Sequence, residues 1–217
     1  MNTATNNRDW QVRRWLQAGL LVSCALYLGA PLAQGGAPRA DVPTLKVGDR
    51  WKFEQIDRRT GLKESELERK VTSVTATQIE GTENDGKFVL TADLNTLETS
   101  TLVATGDTKA FSFPLEVGKK WEYKFSFANK LNPGKGRRQL EAHVVAYEKV
   151  KVPAGEFDAF RIEYSGFWNS DSNRRPNTGR LTTTNWYAPA ARGVVKVEFD
   201  DGSNKWVRQL VEIALQP

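Results

Sequence analysis

Lys120-Trp121-Glu122-Tyr123-Lys124-Phe125-Ser126-Phe127 sets the reading of this chain, because aromatic side chains alternate there with charged or small polar ones. A period of two marks a strand that buries one face, since successive Cβ atoms leave a pleated backbone on opposite sides. The same alternation places Phe160, Ile162, Tyr164 and Trp168 against Arg161, Glu163 and Ser165. It also sets Val195, Val197 and Phe199 against Lys196 and Glu198. Asp200-Asp201-Gly202-Ser203 has hairpin chemistry and predicts a last strand from Trp206 to Leu215. No helix-period apolar stripe of useful length follows residue 44. The expected fold class is therefore all-β, an antiparallel barrel or sandwich.

The chain also repeats itself. Leu45-Lys46-Val47-Gly48-Asp49-Arg50-Trp51-Lys52-Phe53 returns as Leu115-Glu116-Val117-Gly118-Lys119-Lys120-Trp121-Glu122-Tyr123, with 121 − 51 = 70 as the offset. Leu67, Glu68 and Val71 return as Leu140, Glu141 and Val144, where 140 − 67 = 73. Gly86-Lys87-Phe88 returns as Gly155-Glu156-Phe157, where 155 − 86 = 69. Three matches in one order, with offsets differing by loop-sized amounts, predict two duplicated meanders at about 45–110 and 115–217 whose aromatic faces close on one another. In both copies a glycine, Gly48 or Gly118, lets the chain turn into the tryptophan strand.

Residues 1–35 read as a signal peptide or membrane anchor, and 36–44 as a linker. Arg13 and Arg14 precede an apolar run from Trp15 to Ala33, and basic, apolar and small-residue zones in that order form a secretory leader. Three fates fit it: cleavage at Ala33-Gln34-Gly35, lipidation of Cys24 after Leu21-Val22-Ser23, or retention as a span of marginal length. All three place the remainder outside the bacterial cytoplasm, in the periplasm or against a membrane of the envelope. The net charge is +5, of which the first 36 residues hold +2, so the folded part is only mildly basic and does not read as a nucleic-acid binder.

Residues 114–198 resemble a group of exported bacterial domains of unknown function, related to those labelled TapB-like. The residues that carry the resemblance are Pro114 to Tyr123, Val152-Pro153-Ala154-Gly155-Glu156-Phe157 through Ile162, and Trp186-Tyr187-Ala188-Pro189 with Gly193 to Glu198. The resemblance implies an antiparallel barrel or sandwich and carries no catalytic residues. Ala190-Ala191-Arg192 stands where relatives often show a glycine pair.

Candidate chemistry is sparse. Cys24 is the one cysteine and His143 the one histidine, so no disulfide framework, thiolate metal site or usual zinc constellation is expected, and no cofactor motif appears. His143 reads as a structural strand residue, and Asp200 with Asp201 as turn formers. If strands run up and down, the segments 129–138 and 169–181 form loops at one pole. That gathers Lys130, Lys135, Arg137, Arg138, Arg174, Arg175 and Arg180, with Arg58 and Arg59 on the corresponding turn of the first copy. An acidic stretch, Glu80 to Asp85, is expected at the opposite pole beside Pro153. Trp168 and Trp186, flanking a long loop, are candidates for apolar or glycan contact. The functional expectation is a non-catalytic binding or scaffold domain that meets anionic lipid, lipopolysaccharide or another envelope protein. The alternatives are a carboxylate-dependent glycan hydrolase and a carrier of an apolar ligand.

Overall fold

The structure, a computed structural model, describes residues 38–131, 134–172 and 175–217, without the side chains of 172–176. The leader with Cys24, and Arg174, lie outside the described residues, as does the Arg175 side chain. In chain order the strands are β1 (Arg39–Ala40), β2 (Arg50–Asp57), β3 (Lys63–Val74), β4 (Gln78–Glu83), β5 (Gly86–Thr91), β6 (Thr96–Glu98) and β7 (Leu102–Gly106). They continue as β8 (Leu115–Glu116), β9 (Lys120–Asn129), β10 (Gly134–Val152), β11 (Gly155–Ser172), β12 (Arg175–Ala188), β13 (Gly193–Asp200) and β14 (Lys205–Ala214). One 3-10 turn, Pro189–Ala191, is the sole helical element among the described residues.

β1 pairs with β8, and the other strands form a closed antiparallel barrel of twelve. Each barrel strand lies beside its chain neighbours, so the meander runs up and down until β14 meets β2 and β7 meets β9. Closure satisfies every edge, which an open sheet of this length leaves exposed. Six barrel strands, β2–β7, lie within 45–110 and six, β9–β14, within 115–217.

The tryptophan strands enter the barrel through matching joints. Gly48 N donates to Val71 O while Val71 N donates to Asp49 O, both at 2.9 Å. Gly118 N donates to Val144 O at 2.8 Å and Val144 N to Lys119 O at 2.9 Å. Both glycines sit at strongly positive φ, +97° and +93°, where a side chain would be strained. Position 49 is a buried acid and position 119 a lysine, and each ties down its own surroundings. Asp49 accepts from Lys46 N at 2.9 Å and Gln216 N at 2.7 Å, and pairs with Arg192 at 3.1 Å. Lys119 Nζ donates to the carbonyls of Ser112 and Pro114. The third quoted match falls on strands of different rank: Gly86 opens β5, the fourth barrel strand of its half, and Gly155 opens β11, the third.

Trp121, Tyr123 and Phe125 face the interior, and Phe160, Ile162 and Tyr164 meet them there, as the alternation predicts. Trp121 stands edge-on to Tyr164 at 6.5 Å, and Tyr164 edge-on to Tyr123 at 6.3 Å. Two of the inward-facing indoles are held by hydrogen bonds: Trp51 Nε1 donates to Ala191 O and Trp121 Nε1 to Lys109 O, both at 2.8 Å.

Much of the expected loops at 129–138 and 169–181 is strand instead: residues 134–138, 169–172 and 175–181 belong to β10, β11 and β12. Gly134 pairs with Ser172 and Asp171 with Pro176, so long hairpins extend almost to their tips. Both faces of those hairpin ends are mostly polar or glycine, with only scattered leucine and proline, which hides the alternation from the sequence. The acidic stretch is also displaced from its expected place. Alternation of direction puts the β4–β5 turn at 84–85 on the same rim as the β9–β10 turn at 130–133, because the turn at 75–77 occupies the place of Pro153-Ala154. The two poles therefore do not divide by charge.

Candidate functional site

Strand register assembles a cationic strip on the outer face. Lys124, Gln139, Phe167 and Arg180 are successive partners across β9, β10, β11 and β12, and the next row toward the rim is Ser126, Arg137, Asn169 and Thr178. These two rows line a groove of about 870 Å³. Phe167 is 60% exposed, and the Arg180 guanidinium lies 5.5 Å above its ring. Among the described residues no carboxylate forms an ion pair with Lys124, Lys135, Arg137 or Arg180. The row on the base side is acidic, with Glu122 directly opposite Glu141 and both exposed. His143, with Glu163 as its register partner, lies one row further on.

Several predicted site residues are placed elsewhere. Arg138 points inward, where its guanidinium covers Phe127 at 5.3 Å and burial pushes its pKa down. Lys130 is engaged by Glu98 at 3.0 Å. Arg58 pairs with Glu198 at 3.2 Å, and Arg59 reaches toward the Gly202 carbonyl. The strip thus brings Arg137 and Arg180 together, keeps Lys135 near them, and removes Lys130 and Arg138 from the set. Lys124 and Phe167 complete it, although sequence reading placed Lys124 only on the polar face of a strand and left Phe167 unremarked.

Trp168 and Trp186 flank no long loop. Trp168 lies on β11 facing the interior, and its Nε1 is buried without a partner. Trp186 is buried on β12: its Nε1 donates to Glu148 Oε1 at 2.9 Å and Lys196 Nζ sits 4.4 Å above the ring. A covered indole offers no stacking platform. Asp200 and Asp201 cap the β13–β14 turn, as expected. Asp200 accepts from Gly202 N at 3.0 Å, and Asp201 accepts from Ser203 N and Asn204 N at 3.0 and 2.7 Å.

Inside the barrel lies a second candidate, a place for the carrier alternative whose polar lining residues sequence reading did not single out. A cavity of about 240 Å³ has apolar walls from Trp51, Phe53, Leu67, Phe88, Leu90 and Phe111, and polar groups from Arg69, Asn185, Arg192 and Arg208. Glu83 answers Arg69: its carboxylate accepts from Arg69 Nε at 2.7 Å and from Ser100 N and Oγ at 2.8 and 2.6 Å. Burial by itself raises the Glu83 pKa, but the charge of Arg69 and the bonds from Ser100 and Arg69 outweigh it and hold the group below the usual carboxylate range. Asp49 answers Arg192. Arg208 forms no ion pair with a carboxylate among the described residues. Its Nη2 donates to the neutral Gln55 Oε1 at 2.7 Å, its Nε has no partner, and burial pushes its pKa down to about 10.

A closed up-and-down antiparallel barrel with a partly polar interior is the class of protein these features define. No family model and no curated protein matches the chain. Solved structures share the fold. A candidate exported protein with a YmcC-like fold from Bacteroides fragilis is 18% identical with a TM-score of 0.55, over 81% of this chain and 99% of that one. A candidate lipoprotein from Parabacteroides distasonis is 16% identical with a TM-score of 0.51, over the same 81% and 99%. The fold is thus the YmcC-like one. The TapB-like label finds no support in these neighbours, while the antiparallel barrel that the resemblance implied does.

Proposed function

We propose that this is an exported protein of the bacterial envelope that binds rather than catalyses, and that the outer face of β9–β12 docks on an anionic lipid surface. The leader plan and the fold it shares with candidate exported proteins and lipoproteins support the location. One observation carries the contact: Lys124, Arg137 and Arg180 stand on one face with no ion pair among the described residues, around a phenylalanine that is 60% exposed, while Lys135 at the rim stands opposite Asp171. Cations attract the headgroups, and an exposed ring gains by entering the interface between headgroup and chain. Beside the strip, the exposed pair Glu122 and Glu141 shares a groove of about 790 Å³ with His143 and Glu163. A hydrolase would use two such carboxyls around a scissile bond, so the glycan-hydrolase alternative is tested at this pair, and loss of a hydrolytic activity in Glu141→Gln would favour it over docking.

Each cation near an anionic membrane contributes about 1 kcal/mol, so Lys124→Glu, Arg137→Glu and Arg180→Glu together should weaken binding by at least ~100-fold at low salt. Sedimentation of the full chain with phosphatidylglycerol vesicles, against phosphatidylcholine vesicles, measures this. Equal sedimentation of variant and wild type would end the proposal.

A further inference from the structure

We infer that the interior cavity bounded by β2, β3, β5 and β14 is a binding site for a small amphiphilic anion, a medium-chain carboxylate whose head group pairs with Arg208. The case begins with charge. Three guanidinium groups reach the cavity, and the structure supplies two carboxylates for them, Glu83 for Arg69 and Asp49 for Arg192. Arg208 is left with a neutral amide, an unmatched Nε and the face of Trp206, 5.0 Å from its guanidinium. A buried charge without a counter-charge is costly, and guanidinium keeps its proton throughout the physiological range. Among the described residues no carboxylate forms an ion pair with this half-buried guanidinium, and the one acid that acts on it, Glu83, is already bonded to Arg69.

Shape sets the class of the partner. The walls are aromatic and aliphatic, so the body of the ligand is hydrocarbon, and an inorganic anion would leave those walls unfilled. The cavity, about 240 Å³, holds roughly eight water volumes at ~30 Å³ each, which is small among ligand pockets. A long-chain phospholipid does not fit inside, whereas a carboxylate with a chain of about eight carbons does. The head group would accept from Arg208 Nε as a charge-assisted bond, while Gln55 keeps Nη2 in place. This site is separate from the outer strip: it shares no residue with it and lies on the other side of the sheet.

The test is thermal denaturation of the full chain with octanoate, with octanol as the uncharged control and acetate as the control without a chain. At a hundredfold excess over Kd, octanoate should raise Tm by about 5–10 °C, with octanol and acetate giving little change. Arg208→Met keeps most of the volume and removes the charge. Its Tm without ligand should equal or exceed that of the wild type, because an uncompensated buried charge is gone, and octanoate should no longer shift it. Equal shifts from octanol and octanoate would overturn the anionic assignment, and that comparison needs the wild type alone, whether or not the variant folds. A ligand-free Arg208→Met that melts well below the wild type would show that Arg208 is structural and overturn the proposal. So would an octanoate shift that survives the substitution. The triple substitution Lys124→Glu, Arg137→Glu, Arg180→Glu should leave the octanoate shift intact, so failure of the membrane reading and failure of this one are separately visible.

Discussion

Replacing Glu83 with glutamine should destabilise the barrel by about 2–3 kcal/mol near neutral pH. The carboxylate on β4 is nearly inaccessible, with 4% of its side chain exposed, and it joins β3 to the β6–β7 turn through Arg69 and Ser100. Glutamine keeps an oxygen for the two Ser100 donors but loses the charge opposite Arg69. Removing one member of a buried ion pair costs about 3–5 kcal/mol. Arg69 is 27% exposed and regains some water, which brings the figure down to ~2–3 kcal/mol. For a domain of this size each kcal/mol moves Tm by roughly 2–4 °C, so a drop of about 5–10 °C is expected by circular dichroism at pH 7. The pH dependence follows from the depressed pKa. Folded Glu83 binds its proton more weakly than it does in the unfolded chain, so its contribution is fully present above the unfolded carboxyl range and fades as acid protonates the folded group. The gap between variant and wild type should therefore shrink as pH falls through that range. A drop under 2 °C at pH 7 would refute the electrostatic account, and a gap that stays constant into acid would show that the cost is steric.

Asp49→Ala leaves Arg192, 24% exposed, and two part-buried N–H groups without an acceptor and should cost about 2–4 kcal/mol by urea denaturation, with the segment near Gln216 the first region to lose amide protection. A loss below 1 kcal/mol would contradict its place as the joint's anchor. Gly81→Ala would set a Cβ 2.1 Å from Lys70 O and 2.5 Å from the Phe88 ring, so backbone must move and about 1–3 kcal/mol should be lost; unchanged stability would mean that β3 and β4 are looser than this packing implies. Trp51→Phe removes the donor to Ala191 O and should cost ~1–2 kcal/mol in the same assay, partly from the orphaned carbonyl and partly from lost ring area.

Much of the fold could be read from residues. The aromatic run from Trp121 to Phe127 announced a strand with one buried side, and the two Gly-x-x-Trp joints pointed to the matched entries at Gly48 and Gly118. Asp200-Asp201-Gly202 announced its own hairpin. Where alternation failed, so did the reading. Lys135, Arg137, Asn169 and Asp171 were taken for loop because both faces of the hairpin ends are mostly polar. Phe167 was hidden between Ile162 and Trp168 on the opposite parity. Arg208 was not singled out, since nothing in its neighbours marks which side of β14 turns inward.

The sequence by itself determined the period-two pattern, and with it an all-β chain whose aromatic faces had to be buried together, because alternation is a local consequence of the pleat. Closure into a barrel, the row that sets Lys124, Phe167 and Arg180 side by side, and the enclosure of Arg208 without a carboxylate ion pair were decided only by tertiary structure. Those features depend on register between strands far apart in the chain, and a shift of one residue exchanges the inner face for the outer.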